Sequence, residues 1–250
     1  MNMDRQDARP SSLATELTQD HDDAIAKPLL CMRSVTRVFQ NAGQEVAVLR
    51  DVSMALPRGV FVAIKGRSGS GKTTLLNLAG GLDRPSAGEI CLHGQRTSGL
   101  SDNSLTKLRR KHIGCVFQSS ALLPIYTALE NVEIVLRIAG LGRRERVERA
   151  RRCLRAVGLG HWIDHRPDEM SGGQQQRVAI ARALATHPDM ILADEPTSEL
   201  DTSTSQQILG LFREIARSEG IAILATTHDP HVDDYVDLSY TLHNGQLDKE

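Results

Sequence analysis

Residues 66–74 read Gly66-Arg67-Ser68-Gly69-Ser70-Gly71-Lys72-Thr73-Thr74, and the first eight match the pattern G-x-x-x-x-G-K-S/T at every fixed position. Glycines let a backbone curl round an anion so that successive N–H groups face it. A helix that starts there adds the positive end of its dipole. In such a loop we expect Lys72 to reach the β- and γ-phosphates of a nucleotide and the Thr73 hydroxyl to ligate Mg²⁺. The stretch therefore predicts a phosphate-binding loop.

The surrounding pattern predicts an α/β fold. Apolar, β-branched runs predict strands over residues 29–39, 45–56, 60–65, 89–93, 113–117, 190–193, 221–225, 238–242 and 246–247. Helical periodicity predicts helices over residues 72–78, 128–138, 143–156, 173–186 and 200–217. Strands that alternate with helices form a parallel sheet covered on both faces, and the Asn-Gly pair at 244–245 indicates a closing hairpin. The helical middle third indicates an insertion into this core.

Composition narrows the class of protein. The 250 residues are 40% hydrophobic with a formal net charge of −1, so bulk charge gives no argument for nucleic acid or an anionic membrane surface. The four cysteines are scattered without a C-x-x-C pair, which favours reduced thiols. No apolar run reaches the ~18 residues of a membrane span, and residues 1–27 are polar enough to predict a flexible tail. We expect a soluble, cytoplasmic protein.

A second motif lies at 190–195, where four apolar residues precede Asp194 and Glu195. A buried strand of this kind delivers its last acid to the edge of the sheet, where Asp194 can hold Mg²⁺ opposite the phosphate-binding loop. Because side chains alternate along a strand, we expect Glu195 to point the other way, where it can polarise an attacking water. Downstream of such a loop, the motif indicates nucleotide hydrolysis.

A third motif, Ser171-Gly172-Gly173-Gln174, lies just ahead of a predicted helix. Two glycines behind a serine at a helix start make an anion-binding nest, here far in sequence from the phosphate-binding loop. An N-capped helix with a glycine-rich start produces the same letters without any ligand. The spacing of the motif relative to the other two decides between these interpretations.

Together these motifs resemble the ATP-binding cassette family from Leu29 onward. Residues 66–73 are similar to its Walker A loop, residues 190–194 to its Walker B strand, and residues 170–174 to its LSGGQ signature, with methionine in place of leucine. Further motifs follow in the family's order. They are Phe39 at the position that stacks on adenine, Gln118 of the Q-loop, residues 198–201 of the D-loop, and the switch histidine His228.

The resemblance implies a P-loop NTPase (RecA-like) core over residues 28–97 and 168–250, with an antiparallel β subdomain and a helical subdomain inserted over 98–167. It implies ATP and Mg²⁺ as cofactors, with Thr73, Gln118 and Asp194 at the metal. It also implies a head-to-tail homodimer, in which residues 171–174 of one subunit face the ATP held by the other. Lys72, the loop amides, the partner's signature serine and His228 then donate to the transferring phosphoryl group, while Glu195 orients or deprotonates water.

Flanking sequences narrow the resemblance to the branch of lipoprotein-releasing, macrolide-export and antimicrobial-peptide-export ATPases. They are residues 80–85, 113–118, 121–124, 127–131 and 227–230. Members of that branch work with a permease, often a separate polypeptide, which implies a position at the inner face of the cell membrane. A regulatory or mechanical switch of the cell-division kind, without transport, stays open as the alternative. The short, metal-free insertion disfavours a DNA-repair ATPase, and the signature motif has no use in a small-molecule kinase.

Two surface segments have separate interpretations. The basic run at 143–149 interleaves arginines with glutamates and lacks aromatic residues, so we expect i,i+4 ion pairs on a solvated helix face rather than nucleic-acid binding. Leu122-Leu123-Pro124 forms an apolar loop after Gln118, where the core meets the insertion. We interpret it as part of a groove for a cytoplasmic helix of the permease, with simple loop packing as the alternative.

Overall fold

The computed structural model describes residues 28–41 and 44–249. One antiparallel sheet consists of β1 (Leu30–Asn41), β2 (Gln44–Leu56), β4 (Ala87–Leu92) and β5 (Gln95–Arg96). Its strand order is β2-β1-β4-β5. From Val52 to Leu56, β2 alternates buried and exposed residues, as expected when a sheet packs one face and exposes the other. The predicted antiparallel β subdomain is therefore confirmed.

A six-stranded sheet forms the centre of the molecule. Its strands are β3 (Phe61–Lys65), β6 (Ile113–Val116), β7 (Met190–Asp194), β8 (Ala222–Thr227), β9 (Leu238–His243) and β10 (Gln246–Lys249). The order is β10-β9-β3-β8-β7-β6, parallel from β9 to β6, with β10 antiparallel to β9. The register places Lys65 beside Thr227 and Asp194 beside Thr226, so the carboxyl ends of β3, β8 and β7 meet at one edge.

Helices cover the central sheet. They are α1 (Lys72–Ala79), α2 (Asp102–His112), α3 (Ala128–Ile138), α4 (Arg143–Ala156), α5 (Gly172–Leu184) and α6 (Thr202–Glu219), with short 3₁₀ turns at Pro167–Glu169 and Pro230–Asp234. Alternate residues of β3 enter different cores. Phe61 and Ala63 pack with residues of α3 to α6, whereas Val62 and Ile64 pack with α1 and the antiparallel sheet. The central sheet is thus buried on both faces.

Most predicted elements are confirmed to within a few residues, including the parallel sheet and the closing hairpin. Asn244 and Gly245 both have positive φ, 51° and 79°, as a two-residue type I′ turn requires. The sequence pattern does not predict α2 or β5. Helix α2 buries only Leu105, so it lacks the apolar periodicity that reveals a helix. Its start is set locally, because the Ser101 hydroxyl accepts a hydrogen bond from the N–H of Ser104.

The segment predicted as a helical insertion, residues 98–167, contributes one strand to the central sheet. Strand β6 lies within it and pairs in parallel with β7. The division of the chain at residues 97 and 168 stays a prediction, and the tail predicted at 1–27 lies outside the described residues. Across residues 28–41 and 44–249, none of the helices combines the length and the apolar composition that crossing a bilayer requires.

The basic run at 143–149 lies in α4, and one of its arginines, Arg146, makes an ion pair with a neighbouring helix. Nε of Arg146 lies 2.9 Å from Oε1 of Glu133 on α3, and Nη1 of Arg146 donates to the carbonyl oxygen of Leu141 at 2.9 Å. The residues four positions from Arg146 are Gly142 and Ala150, so this contact does not test the expected i,i+4 pairing within α4, which stays a prediction. The contact joins two helices of the insertion.

The four cysteines are free thiols, and all are half-buried. Burial raises the pKa of the Cys115 and Cys153 thiols above the ordinary value. Both side chains therefore stay protonated near neutral pH and pack as small apolar groups, in agreement with the reduced state expected from their spacing.

Candidate nucleotide site

Residues 66–71 form a tight loop between β3 and α1. Gly71 adopts a φ of +105°, and a Cβ there would lie 3.1 Å from the carbonyl oxygen of Val48. A Cβ at Gly66 would lie 2.6 Å from the carbonyl oxygen of Leu242. Both positions exclude a side chain, one by conformation and one by contact, so the loop can follow this path only with glycine there. Helix α1 begins directly after it, at Lys72.

Lys72 is buried beside the loop, with 5% of its side chain exposed. Its Nζ donates to the carbonyl oxygens of Gly66 and Arg67, at 2.8 and 3.1 Å, and lies 3.2 Å from Oε1 of Glu195. A buried ammonium needs oxygen partners of this kind to offset its lost hydration. The carbonyl oxygens of the loop therefore hold the Lys72 ammonium next to the N–H groups of the loop.

Asp194 ends β7 and faces the start of α1. Its Oδ2 accepts from the hydroxyl of Thr73 at 2.9 Å, and its Oδ1 accepts from the hydroxyl of Thr226 at 2.6 Å. A carboxylate beside a hydroxyl supplies the oxygen ligands that Mg²⁺ prefers. Thr226 is fully buried on β8, and the sequence analysis does not single it out as a site residue. In the sequence, a threonine within an apolar strand looks like an ordinary core residue. Its position beside Asp194 is known only once the order of β7 and β8 in the sheet is known.

Glu195 does not continue strand β7, so the prediction that it points away from Asp194 is wrong. The strand ends at Asp194, and Glu195 has a φ of 46°, in the left-handed region. Its N–H donates to the carbonyl and hydroxyl oxygens of Thr226, at 3.1 and 3.0 Å. This turn brings the Glu195 carboxylate to Lys72 on one side and to Nδ1 of His228, 3.1 Å away, on the other.

A polar pocket of about 370 Å³ is lined by Lys72, Thr73, Asp194 and Glu195 among these groups. The other described residues that line it are Ser68, Gly69 and Gly71 of the loop, Thr74 of α1, Gln118 and Val48. Inside the loop, the hydroxyl oxygen of Ser70 is buried and has no hydrogen-bond partner among the described residues. An unsatisfied buried hydroxyl, a lysine and a helix start fit a phosphate-bearing ligand, while the oxygens of Thr73, Asp194 and Gln118 fit Mg²⁺.

Phe39 lies on the β subdomain beside this pocket. It pairs with Val46 across β1 and β2, and Val48, two residues farther along β2, lines the pocket. The register between the two strands shifts at Val48, so strand alternation does not assign Phe39 and Val48 to one face, and Phe39 is not among the described residues that line the pocket. The guanidinium of Arg37 lies 4.3 Å from the centre of the Phe39 ring, and Asp83 holds Arg37 through two hydrogen bonds, of 2.8 and 2.9 Å.

The signature residues 171–174 are not among the described residues that line the pocket. Ser171 caps α5, where its hydroxyl accepts from the N–H of Gln174 at 3.3 Å and its own N–H donates to Oε1 of Gln174 at 2.9 Å. This is a reciprocal capping box, as the structural interpretation of the motif requires. Ser171 and Gly172 nevertheless stay exposed, so the start of α5 is a free surface of this chain.

Gly173 brings α5 close to α6. A Cβ at this position would lie 2.4 Å from the methyl carbon of Thr204. The hydroxyl and the N–H of Thr204 both donate to the carboxylate of Asp201, at 2.6 and 3.0 Å, which caps α6 and lowers the pKa of Asp201. The D-loop residues 198–201 are thereby tied to the signature helix.

A groove of about 570 Å³ runs between the insertion and the core. Exposed apolar side chains of Phe117, Leu123 and Ile138 line it, together with three arginines, Arg109, Arg110 and Arg182. Phe117 lines this groove while its neighbour Gln118 lines the polar pocket. The two cavities therefore share one short segment after β6.

The loop at the edge of this groove is held by one buried side chain, Asn131. Its Oδ1 accepts from the N–H of Leu123 at 2.8 Å, and its Nδ2 donates to the carbonyl oxygens of Leu123, Tyr126 and Thr127, at 3.1, 3.0 and 3.0 Å. Two N–H hydrogens serve the three carbonyl acceptors, so both donors of the Asn131 amide are engaged. The loop that carries Leu123 is therefore a fixed surface.

Comparison with known proteins agrees with this geometry. The family model described as ABC transporter matches residues 49–198. The chain belongs to the ABC transporter family. It is 43% identical over 224 residues to the lipoprotein-releasing system ATP-binding protein LolD 2 of Caulobacter vibrioides, a match that covers 90% of this chain and 98% of that protein.

The same family includes longer relatives. The chain is 45% identical over 223 residues to the macrolide export ATP-binding/permease protein MacB of Shewanella sp. strain ANA-3, which covers 89% of this chain and 34% of that protein. The chain thus spans about a third of that relative. Among solved structures, the dimeric ATP-binding cassette MJ0796 bound to ADP and Pi has a TM-score of 0.81 at 40% identity, over 88% of this chain and 97% of that one. The chain is accordingly an ATP-binding cassette ATPase with the predicted P-loop NTPase fold.

Proposed function

We propose that this chain is the ATP-hydrolysing subunit of a transporter of the export or lipoprotein-release type, and that it powers a separate membrane permease. One observation carries the proposal: the pocket gathers Lys72, Asp194 and Glu195, with His228 in contact with Glu195, while Ser171 and Gly172 of the signature lie exposed outside it. Two chains paired head to tail would bring the signature of each to the pocket of the other. The near full-length match to LolD 2, named as an ATP-binding protein of a lipoprotein-releasing system, supports the separate permease.

In this proposal residues 66–74, which include Lys72, bind the β- and γ-phosphates of ATP, and Thr73, Asp194 and Gln118 hold Mg²⁺. The ion, when bound, neutralises charge on the phosphate oxygens. Phe39 stacks on adenine, with Arg37 supporting its ring from the other side. Gly172, Gly173, Gln174 and the hydroxyl of Ser171, all from the second copy, complete the set of donors round the γ-phosphate.

Glu195 is the group that activates water. Its carboxylate lies 3.2 Å from the Lys72 ammonium, so a γ-phosphate that binds Lys72 competes with it for the same charge. The displaced carboxylate keeps its hydrogen bond to His228 and its backbone anchor on Thr226, and it can then accept a proton from water. His228 is exposed enough to reach the γ-phosphate as a donor. Binding of the nucleotide can thus free the Glu195 carboxylate from Lys72, so that it can act as the general base.

The groove lined by Phe117, Leu123 and Ile138 is the proposed docking surface for the permease. Its apolar side chains and arginines suit an amphipathic helix that carries acidic residues. Because Phe117 and Gln118 are adjacent, movement of Gln118 at the nucleotide displaces the wall of the groove. The chain would then lie at the inner face of the cell membrane, bound there through the permease.

Complementation between two inactive variants tests the shared site. Lys72→Ala removes the phosphate-binding charge, and Ser171→Arg blocks the signature surface of the same chain. In a mixed head-to-tail dimer, the Ser171→Arg chain supplies an intact pocket and the Lys72→Ala chain supplies the intact signature that faces it. We expect each variant alone to lack ATPase activity and the mixture to regain part of it. A mixture as inactive as its components would show that pocket and signature do not meet between chains.

A further inference from the structure

Three side chains from different parts of the fold converge at the end of the central sheet that lies away from the nucleotide pocket. His93 lies in the turn between β4 and β5, His112 ends α2, and Asp189 directly precedes β7. The pocket lies at the opposite end of β7, at Asp194. The cluster, defined as His93, His112 and Asp189, has no task in the ATPase chemistry proposed above.

Both imidazoles of the cluster face the same carboxylate oxygen. Nδ1 of His112 lies 2.5 Å and Nε2 of His93 lies 3.1 Å from Oδ2 of Asp189, and all three ligand atoms lie within 4.8 Å of one another. Nitrogen and carboxylate ligands at ~2.0–2.1 Å from a tetrahedral Zn²⁺ are separated by roughly 3.3 Å. Small side-chain rotations would bring the cluster to that spacing.

The backbone holds Asp189 in place. Its N–H donates to the carbonyl oxygen of His112 and its own carbonyl accepts from the N–H of Ala222, both at 3.0 Å. Its Oδ1 accepts a hydrogen bond from Arg58, and its Oδ2 faces both imidazoles, so the group is an oriented carboxylate.

Arg58 places a positive charge next to the cluster, and a cation bound there would be repelled by it. Its Nη1 lies 2.6 Å from Oδ1 of Asp189, the oxygen that the imidazoles do not share, so it acts as an outer partner that orients the carboxylate. Its Nη2 lies 3.3 Å from Nδ1 of His93, and this contact must open, because a neutral imidazole that binds metal through Nε2 carries its proton on Nδ1. The Arg58 side chain is 52% exposed and can turn into solvent.

We propose that His93, His112 and Asp189 bind one divalent transition-metal ion of the Zn²⁺ class, with water completing the coordination. Two imidazoles and a carboxylate form a ligand set that suits such ions and is a poor set for Mg²⁺. The ion would tie a turn of the β subdomain, a helix of the insertion and a strand of the core to one point. It would thus cross-link three parts of the fold at the end remote from ATP.

Titration with Co²⁺ tests this site independently of ATP hydrolysis. The full chain is stripped of metal with a chelator and kept in excess Mg²⁺, which occupies sites built from oxygen ligands. We expect one equivalent of Co²⁺ to bind with a visible absorption band, Zn²⁺ to displace it, and Tm to rise by several degrees at saturation with Zn²⁺. Absence of a saturable band in the wild-type chain would show that the cluster is an ion-pair network only.

Two variants remove one ligand each, so that failure of one to fold leaves the other. His93→Asn suits the left-handed φ of 52° at this position, which asparagine tolerates, and His112→Gln keeps a helix-forming residue at the end of α2. We expect each to weaken Co²⁺ binding at least tenfold while ATP binding is retained. His161→Asn, at an exposed histidine outside the cluster, is the matched control. Unchanged Co²⁺ affinity in both ligand variants, or equal loss in the control, would overturn the assignment.

Discussion

The close contact between α5 and α6 makes Gly173→Ala a quantitative test of the structure. The added Cβ would lie 2.4 Å from Cγ2 of Thr204. Two carbon atoms in ordinary van der Waals contact are ~3.5–4.0 Å apart, so this distance is too short by at least ~1 Å. Such overpacking destabilises a fold by ~1–3 kcal/mol, whereas replacing a glycine inside a helix by alanine stabilises it by ~0.5–1 kcal/mol. We expect the free energy of unfolding to fall by up to ~2.5 kcal/mol.

Thr204→Ser supplies the matched background, because it removes Cγ2 and keeps the hydroxyl that donates to Asp201. Without that methyl group, Gly173→Ala should be neutral or stabilise the chain by up to ~1 kcal/mol. Urea unfolding of the wild type, both single variants and the double variant, followed by circular dichroism, gives the coupling energy, expected at ~1–3 kcal/mol. Equal effects of Gly173→Ala in the two backgrounds would refute the packing described for the signature helix.

Three further substitutions test separate parts of the molecule. Lys72→Ala should abolish ATP hydrolysis and weaken ATP binding by at least ~2–5 kcal/mol, measured by phosphate release and calorimetry; normal turnover would contradict the site. Arg37→Met should raise KM for ATP about two- to fivefold through loss of ~0.5–1 kcal/mol of ring support, with kcat unchanged; a fall in kcat alone would argue against a positioning role. Leu123→Glu should leave ATP binding intact but abolish co-purification with the permease and stimulation of ATPase activity in the complex. Leu82→Glu, an exposed leucine outside the groove, is its control, and normal assembly of Leu123→Glu would place the docking surface elsewhere.

Short-range patterns made much of this molecule predictable. The phosphate-binding loop and the capped start at Ser171 depend on contiguous residues whose backbone preferences are strong. The central strands β3, β7 and β8 are continuous apolar runs because both of their faces are buried, so they are visible in the sequence without any knowledge of their neighbours. The fold class and the family follow from these segments in order.

Features that depend on contacts between distant segments were not predictable. Glu195 is turned back to the pocket by its anchor on Thr226, a residue 31 positions away, so the alternation rule fails for it. Helix α2 is polar nearly throughout and gives no periodic signal. Arg146 has a glycine and an alanine four residues away along the chain, and its acidic partner Glu133 lies on α3 instead. In each case the partner is chosen by tertiary packing, which periodicity does not encode.

Light scattering on the Glu195→Gln variant measures whether ATP is sandwiched between two copies of this chain. Glutamine keeps the size of the side chain and can still hydrogen-bond to His228, but it cannot accept a proton, so ATP should bind and close the dimer without being hydrolysed. With Mg-ATP we predict a stable dimer for Glu195→Gln, mostly monomer for the wild type, and loss of the dimer when Ser171→Arg is added to Glu195→Gln. Equal monomer populations in Glu195→Gln and wild type, or a dimer that survives Ser171→Arg, would contradict the shared site.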